Sequence, residues 1–181
     1  MLKVRKGTPK WSIRPPCGNI RDGSIQLVVS FMYFVDRQRL EKTLRQMEAH
    51  MALFQSQKQW ESAVEKLALE RLVHVVIEAF LDVGNQMIDG FIMRDPGSFN
   101  DIVDILIDEN VVPKESETGL KAVITLRKAL VHDYANIDHG ALIDTFARHF
   151  AVWSDFPGQV RRYLENELGP VSAFKPDGDA P

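Results

Sequence analysis

Leu72-Val73-His74-Val75-Val76-Ile77-Glu78-Ala79-Phe80-Leu81 is a run that is apolar on more than one side of a helix, and its reading decides the fold. It lies in the middle of a longer helical pattern, from about residue 60 to residue 91. Val64, Leu67, Leu72, Val75, Val76, Phe80, Val83 and Met87 are expected to form the buried face of that pattern. A helix apolar around much of its circumference has to be enclosed by others, so this segment is expected at the heart of a helical core.

The flanking segments supply the enclosing helices. Upstream, Asp36 can cap a first helix reaching to about residue 56, with Leu40, Leu44, Met47, Met51 and Phe54 on one face. Downstream, Asp95-Pro96-Gly97 interrupts the chain, and Ser98 with Asp101 resembles a capping box for a short helix over 98–109. A fourth helix is expected to start near Ser116 or Glu117. Asn136-Ile137-Asp138 reads as a turn, with Asp138 capping a fifth helix striped by Ala141, Leu142, Phe146, Phe150 and Trp153. Pro157 lacks the amide that a helix interior uses, so a kink or restart is expected there, with Val160, Tyr163 and Leu164 facing inward beyond it. No stretch alternates as a strand does. The expectation is an all-α, antiparallel bundle of about five helices.

The 181 residues suit one domain with tails. Residues 32–168 form the bundle in this reading, with a poorly structured basic extension over 1–31 and a fraying tail over 169–181. The net charge of −3 is unevenly spread. Lys3, Arg5, Lys6, Lys10, Arg14 and Arg21 oppose only Asp22 and give residues 1–31 a charge of +5, which leaves −8 on the rest. An acidic body disfavours broad nucleic-acid binding, so contact with RNA has to be local or built by two copies. Cys17 is the single cysteine, and the absence of any possible internal disulfide suits a reducing cytoplasm. The apolar stretch 25–35 is too short to span a bilayer, and no signal-type cleavage site follows it. Neither a zinc-ligand pattern nor any other sign of a metal or cofactor is evident.

The chemistry-bearing segment is Arg127-Lys128-Ala129-Leu130-Val131-His132-Asp133-Tyr134, at the end of the fourth helical pattern. A guanidinium stays charged and can fork onto a phosphate, and an imidazole exchanges protons near neutrality. Together they suit metal-free cleavage of a phosphodiester. Residues five apart differ by about 140° on a regular helix, whereas Arg127 and Tyr134, seven apart, share a face. Arg127 and His132 therefore converge only if the helix ends near His132, or if a second protomer contributes. Tyr134 can stack on a base or be modified, and Asp133 can orient the imidazole or face solvent. Short patterns also arise by chance: Arg127 pairing with an acid, and His132 sitting at a helix end, would explain the segment without any activity.

A five-helix chain whose fourth helix ends in Arg-x4-His-x-Tyr resembles the HEPN superfamily, and more narrowly its HepT-like branch. The similarity runs over about residues 32–168. It includes Tyr33-Phe34-Val35-Asp36, Asp82-Val83-Gly84-Asn85 and Arg94-Asp95-Pro96-Gly97-Ser98. The resemblance implies a homodimeric bundle and a metal-independent ribonuclease toxin, with the family's arginine at Arg127, its histidine at His132 and its tyrosine at Tyr134. It also implies a nucleotidyltransferase antitoxin that adenylylates Tyr134. Many relatives carry asparagine or another polar residue directly after the arginine; here that residue is Lys128, whose charge could assist phosphate binding. The competing reading is a non-catalytic module that docks a nucleotidyltransferase or holds a nucleotide. A purely structural helical dimer is a weaker third.

Other polar residues read as structural. His74 is expected to be a satisfied core or interface histidine, and His50 to face solvent. His139 and His149 find no third ligand for a metal. The Asp95–Ser98 loop is better explained as a turn and cap than as a phosphate site. Glu70 and Arg71 could approach the fourth helix but read as ordinary surface charges, and Asp101, Asp104, Asp108 and Glu109 as a solvated acidic face.

Overall fold

The computed structural model describes residues 36–168. The expectations for 1–31, for residues 32–35 of the bundle and for the 169–181 tail lie outside the described residues. Five α-helices follow in order: α1 (Arg37–Ser56), α2 (Ala63–Gly90), α3 (Phe99–Asp108), α4 (Glu117–Val131) and α5 (His139–Leu168). Single 3-10 turns, Lys114–Ser116 and Tyr134–Asn136, precede and follow α4. No strand occurs among the described residues, and the fold is all-α as the hydrophobic periods predict.

The helix starts are set by side-chain caps. Asp36 accepts the amide of Arg39, Ser98 that of Asp101, and Asp138 that of Ala141. Each satisfies an amide that the first turn of a helix leaves unpaired. Helix α2 carries a full capping box. Ser62 accepts from Glu65, and the Glu65 carboxylate accepts from the Ser62 amide. Asp101 reaches one residue further back than a capping box requires, to the amide of Gly97.

Cross-links between helices fix their directions. Helix α1 runs antiparallel to α5. Arg161 of α5 binds Glu41 near the start of α1 and Glu48 past its middle, and Phe54 near the end of α1 meets Phe146 and Phe150 further back along α5. These carboxylates push the Arg161 guanidinium above its ordinary pKa, Glu48 more than Glu41. Helices α2 and α5 run parallel. Glu70 meets His139, Phe80 meets Trp153 and Phe156, and Phe91 meets Tyr163. Helices α3 and α4 are antiparallel, since Asp104 binds Lys121 and Phe99 lies under Arg127. Trp153, Phe80, Phe146 and Phe156, all fully buried, form the centre of the core.

Two glycines permit the closest helix approaches. A Cβ at Gly84 of α2 would sit 2.5 Å from Ile102 Cγ2 of α3. A Cβ at Gly119 of α4 would sit 3.2 Å from His149 and Val152 of α5, next to the Gly119 carbonyl that accepts the Trp153 indole N–H.

Several expectations need correction. Val64 and Leu67 are 75% and 64% exposed and do not belong to the buried face of α2. They lie in its first turns, where no neighbouring helix covers them, although helical spacing alone would carry the stripe to the end. Val75 is only half-buried, and Ala141 is exposed. Pro157 does not restart the helix: α5 is continuous through it. The hydrogen bond that proline cannot donate is offset by burial on both sides, at Trp153, Phe156 and Val160.

Candidate active site

Helix α4 ends at Val131, and His132 is its C-cap, with its amide donating to the Lys128 carbonyl. Arg127 and His132 both line one depression at this end of the helix. Ile124, Thr125, Lys128 and His132 fall on about a third of the helix circumference, with Arg127 at its edge. Together with Phe99, from the first turn of α3, these five residues line an open depression of about 260 Å³. Two cations and an imidazole thus share one groove. The carbonyl end of α4 repels anions, and Lys128 and Arg127 counter that repulsion where a phosphate would lie.

Arg127 is held rather than free. Its Nε–H donates to Glu78 Oε1 of α2 at 2.6 Å, and its guanidinium carbon lies 4.4 Å from the centre of the Phe99 ring. No protein partner occupies its terminal NH₂ groups among the described residues. The His132 and Lys128 side chains likewise lack hydrogen bonds and ion pairs there. Cation and ring attract through the ring quadrupole, and the charged pair with Glu78 is the stronger of the two holds.

Glu78 is also met by His74 Nε2, 3.3 Å from the same oxygen, and Arg71 Nη1 stands 3.4 Å from His74 Nδ1. His74 is therefore a satisfied, half-buried histidine, as expected. Glu70, which could have approached the fourth helix but read as an ordinary surface charge, pairs with His139 at the start of α5. The residue that does reach Arg127 is Glu78, two turns further along. Sequence reading missed it because its partner is 49 positions away. A signal was present, however: His74 and Glu78, four apart, are the only polar residues in Leu72–Leu81 and mark one wettable face.

The remaining candidates are dispersed. Asp133 is exposed and makes no bond to His132. Tyr134 begins the 3-10 turn, is 71% exposed and does not line the depression. Since α4 stops before it, the shared helical face expected for Arg127 and Tyr134 does not form. The Asp95–Ser98 loop is a cap: the Gly97 amide is taken by Asp101, which Arg94 also grips. These two contacts, Arg94 first, lower the Asp101 carboxyl to a pKa of about 2. The acidic residues of α3 are in part partnered rather than simply solvated, since Asp104 binds Lys121. His50 is half-buried, with Nδ1 2.8 Å from the Gln46 carbonyl oxygen. No cluster of three or more potential metal ligands exists among the described residues. No helix among them is long and apolar enough to cross a membrane.

The family profile "Ribonuclease HepT-like" matches residues 40–160, which span α1 to most of α5 and contain the whole depression. The chain belongs to the HepT-like ribonuclease family. A relative in Bacillus subtilis (strain 168), named "Putative RNase YutE", is 54% identical over 144 residues, covering 80% of this chain and 100% of the relative. The solved structure of the cytosolic protein YutE from Bacillus subtilis superimposes with a TM-score of 0.76, covering 79% of this chain and 100% of the other. Membership supports a ribonuclease-type function for this bundle.

Proposed function

We propose that the protein is a metal-independent RNA endonuclease that works as a homodimer through Arg127 and His132. The observation that carries this reading is the grouping of Arg127, Lys128 and His132 around one depression, with the guanidinium fork, ammonium and imidazole unpaired among the described residues. In the proposed reaction a neutral His132 takes the proton from a ribose 2′-OH while that oxygen attacks the adjacent phosphorus. The bond to the 5′ oxygen breaks, and a protonated imidazole supplies the leaving oxygen with its proton. Arg127 stabilises the charge that builds on the phosphoryl oxygens, and Lys128 adds to the local positive potential. The products are a 2′,3′-cyclic phosphate and a 5′-OH end.

Each depression has a single imidazole in its lining, whereas the reaction needs a base and an acid. A two-fold pairing of the α4 ends supplies the second His132 and doubles the local cation count, which an otherwise acidic body requires. In this reading the protein is the toxin of a cytoplasmic toxin–antitoxin pair. The exposed Tyr134 phenol is the group that a nucleotidyltransferase partner adenylylates, and the added phosphate would place negative charge close to the groove.

The test is to map RNA ends after induced expression of the wild type beside His132→Ala and Arg127→Ala. Wild type is expected to leave cyclic phosphate and 5′-OH ends with magnesium chelated, and both variants to lose cleavage by at least about 100-fold while remaining folded. Cleavage that survives His132→Ala, or that needs magnesium, defeats the proposal. Mass spectrometry showing AMP on Tyr134, together with a harmless unmodified form, would favour the non-catalytic docking module instead.

A further inference from the structure

The depression explains where a phosphate would lie, but not why Arg127 points there. An arginine side chain has four rotatable bonds, and catalysis rewards a guanidinium already fixed before the charge develops. Glu78 takes Nε–H, the donor nearest the stem, and leaves the terminal fork free. The Phe99 ring, 4.4 Å from the guanidinium carbon, packs against that fork. Glu78 is itself braced. Arginine can only donate hydrogen bonds, so in its contact with Arg71 the His74 Nδ1 is the acceptor, and His74 Nε2 stands 3.3 Å from Glu78 Oε1. The sequence of contacts Arg71 to His74 to Glu78 to Arg127 runs along one edge of α2 and across to α4.

Resting on the ribonuclease reading, we infer that Glu78, braced by His74, is a positioning residue that clamps the Arg127 guanidinium against Phe99 and aims its fork into the groove. The opposite role is physically conceivable: a carboxylate on Nε could merely neutralise the cation and hold it back from RNA. The two roles differ in sign. Removing a clamp slows the chemical step, whereas removing a restraint speeds it or tightens RNA binding.

Glu78→Ala and Glu78→Gln are to be compared with wild type in single-turnover cleavage of a defined RNA, with the NMR exchange rate of the Arg127 Nε–H followed in parallel. Loss of the clamp is expected to lower the cleavage rate constant by about 10–100-fold in Glu78→Ala, with the half-saturating RNA concentration changed by no more than about threefold. Glu78→Gln, whose amide oxygen still accepts from Nε–H, is expected to recover part of that loss. Exchange of the Arg127 Nε–H should accelerate in the order wild type, Gln, Ala. Glu70→Gln, on the same helix but paired with His139, should cleave as wild type does. If both Glu78 variants cleave as fast as wild type or faster, the positioning role is overturned and the ribonuclease reading stands. Failure of the wild type to cleave any RNA would instead bring down that reading, and this inference with it.

Discussion

Gly84→Ala tests whether the packing of α2 against α3 is what aims the site. Alanine is the better helix former by about 1 kcal/mol, so at an unconstrained helical position the change should stabilise. At Gly84 the new methyl would stand 2.5 Å from Ile102 Cγ2, where ordinary contacts begin at about 3.4 Å. Ile102 is buried and β-branched, so its methyl cannot swing away without leaving its rotamer, and Leu106 closes the next position at 3.6 Å. Overpacking against such a neighbour costs about 2–3 kcal/mol, which leaves a net loss of about 1–2 kcal/mol. For a chain of this size that lowers Tm by about 3–6 °C. Gly158→Ala is the matched control. It lies in α5, where an added Cβ would meet nothing within 4 Å, so it should gain up to about 1 kcal/mol. Thermal unfolding of both variants beside wild type decides the matter. Since Ile102 is three residues from Phe99, the relief of the clash by movement of α3 should also weaken RNA cleavage in Gly84→Ala more than in Gly158→Ala. A Gly84→Ala protein as stable as wild type would refute the packing argument.

Further outcomes follow from other features. Ile92, just past α2, holds a φ of 54° that suits glycine, and it is 71% exposed, so Ile92→Gly should raise stability by about 0.5–1 kcal/mol in denaturant titration. Asp101 and Glu117 have folded-state pKa values lowered to about 2, by Arg94 and then the Gly97 amide, and by Lys114 and then Lys121. Their stabilisation is complete above the ordinary carboxylate range and lost as pH falls from about 4.5 toward 2, so Asp101→Asn should flatten the acid limb of a stability–pH profile. Phe99→Ala should lower kcat/KM by about 2–5-fold through loss of the cation–π contact. Phe99→Leu, which keeps bulk without the ring face, should show the same loss; full activity in the leucine variant would exclude that contact.

Much of the fold was legible because it is written in local chemistry. Asp36, Ser98 and Asp138 mark helix starts by capping amides three residues on, and period-3.6 apolar spacing needs no knowledge of the rest of the chain. The Ser62–Glu65 capping box was equally local and marks the start of α2 more sharply than Trp60. Where reading by period fails, the cause is coverage: Val64 and Leu67 keep the spacing on a part of α2 that no other described helix covers. Pro157 fails differently, because tertiary burial outweighs one missing hydrogen bond. Arg127 and His132 were legible as candidates for chemistry, since few residue types hold a permanent positive charge or exchange protons near neutrality. Glu78 and Phe99 were not, because what matters in them is a partner brought near only by the packing of α2, α3 and α4.

The parallel course of α2 and α5 has a consequence for how such a protein can diversify. Helices pointing the same way cannot be joined by a tight turn, and α2, at 28 residues, is about 42 Å long. The chain must travel back before α5 can begin, and α4, antiparallel to α3, makes that return, so α3 and α4 together form the connection. Phe99, Arg127, Lys128 and His132 all ride on it, while Phe80, Trp153 and Phe156 belong to the two helices it connects. The itinerary between those two helices can therefore change its cargo of side chains while the aromatic centre keeps the molecule folded, which gives one scaffold room to acquire, retune or abandon a reaction.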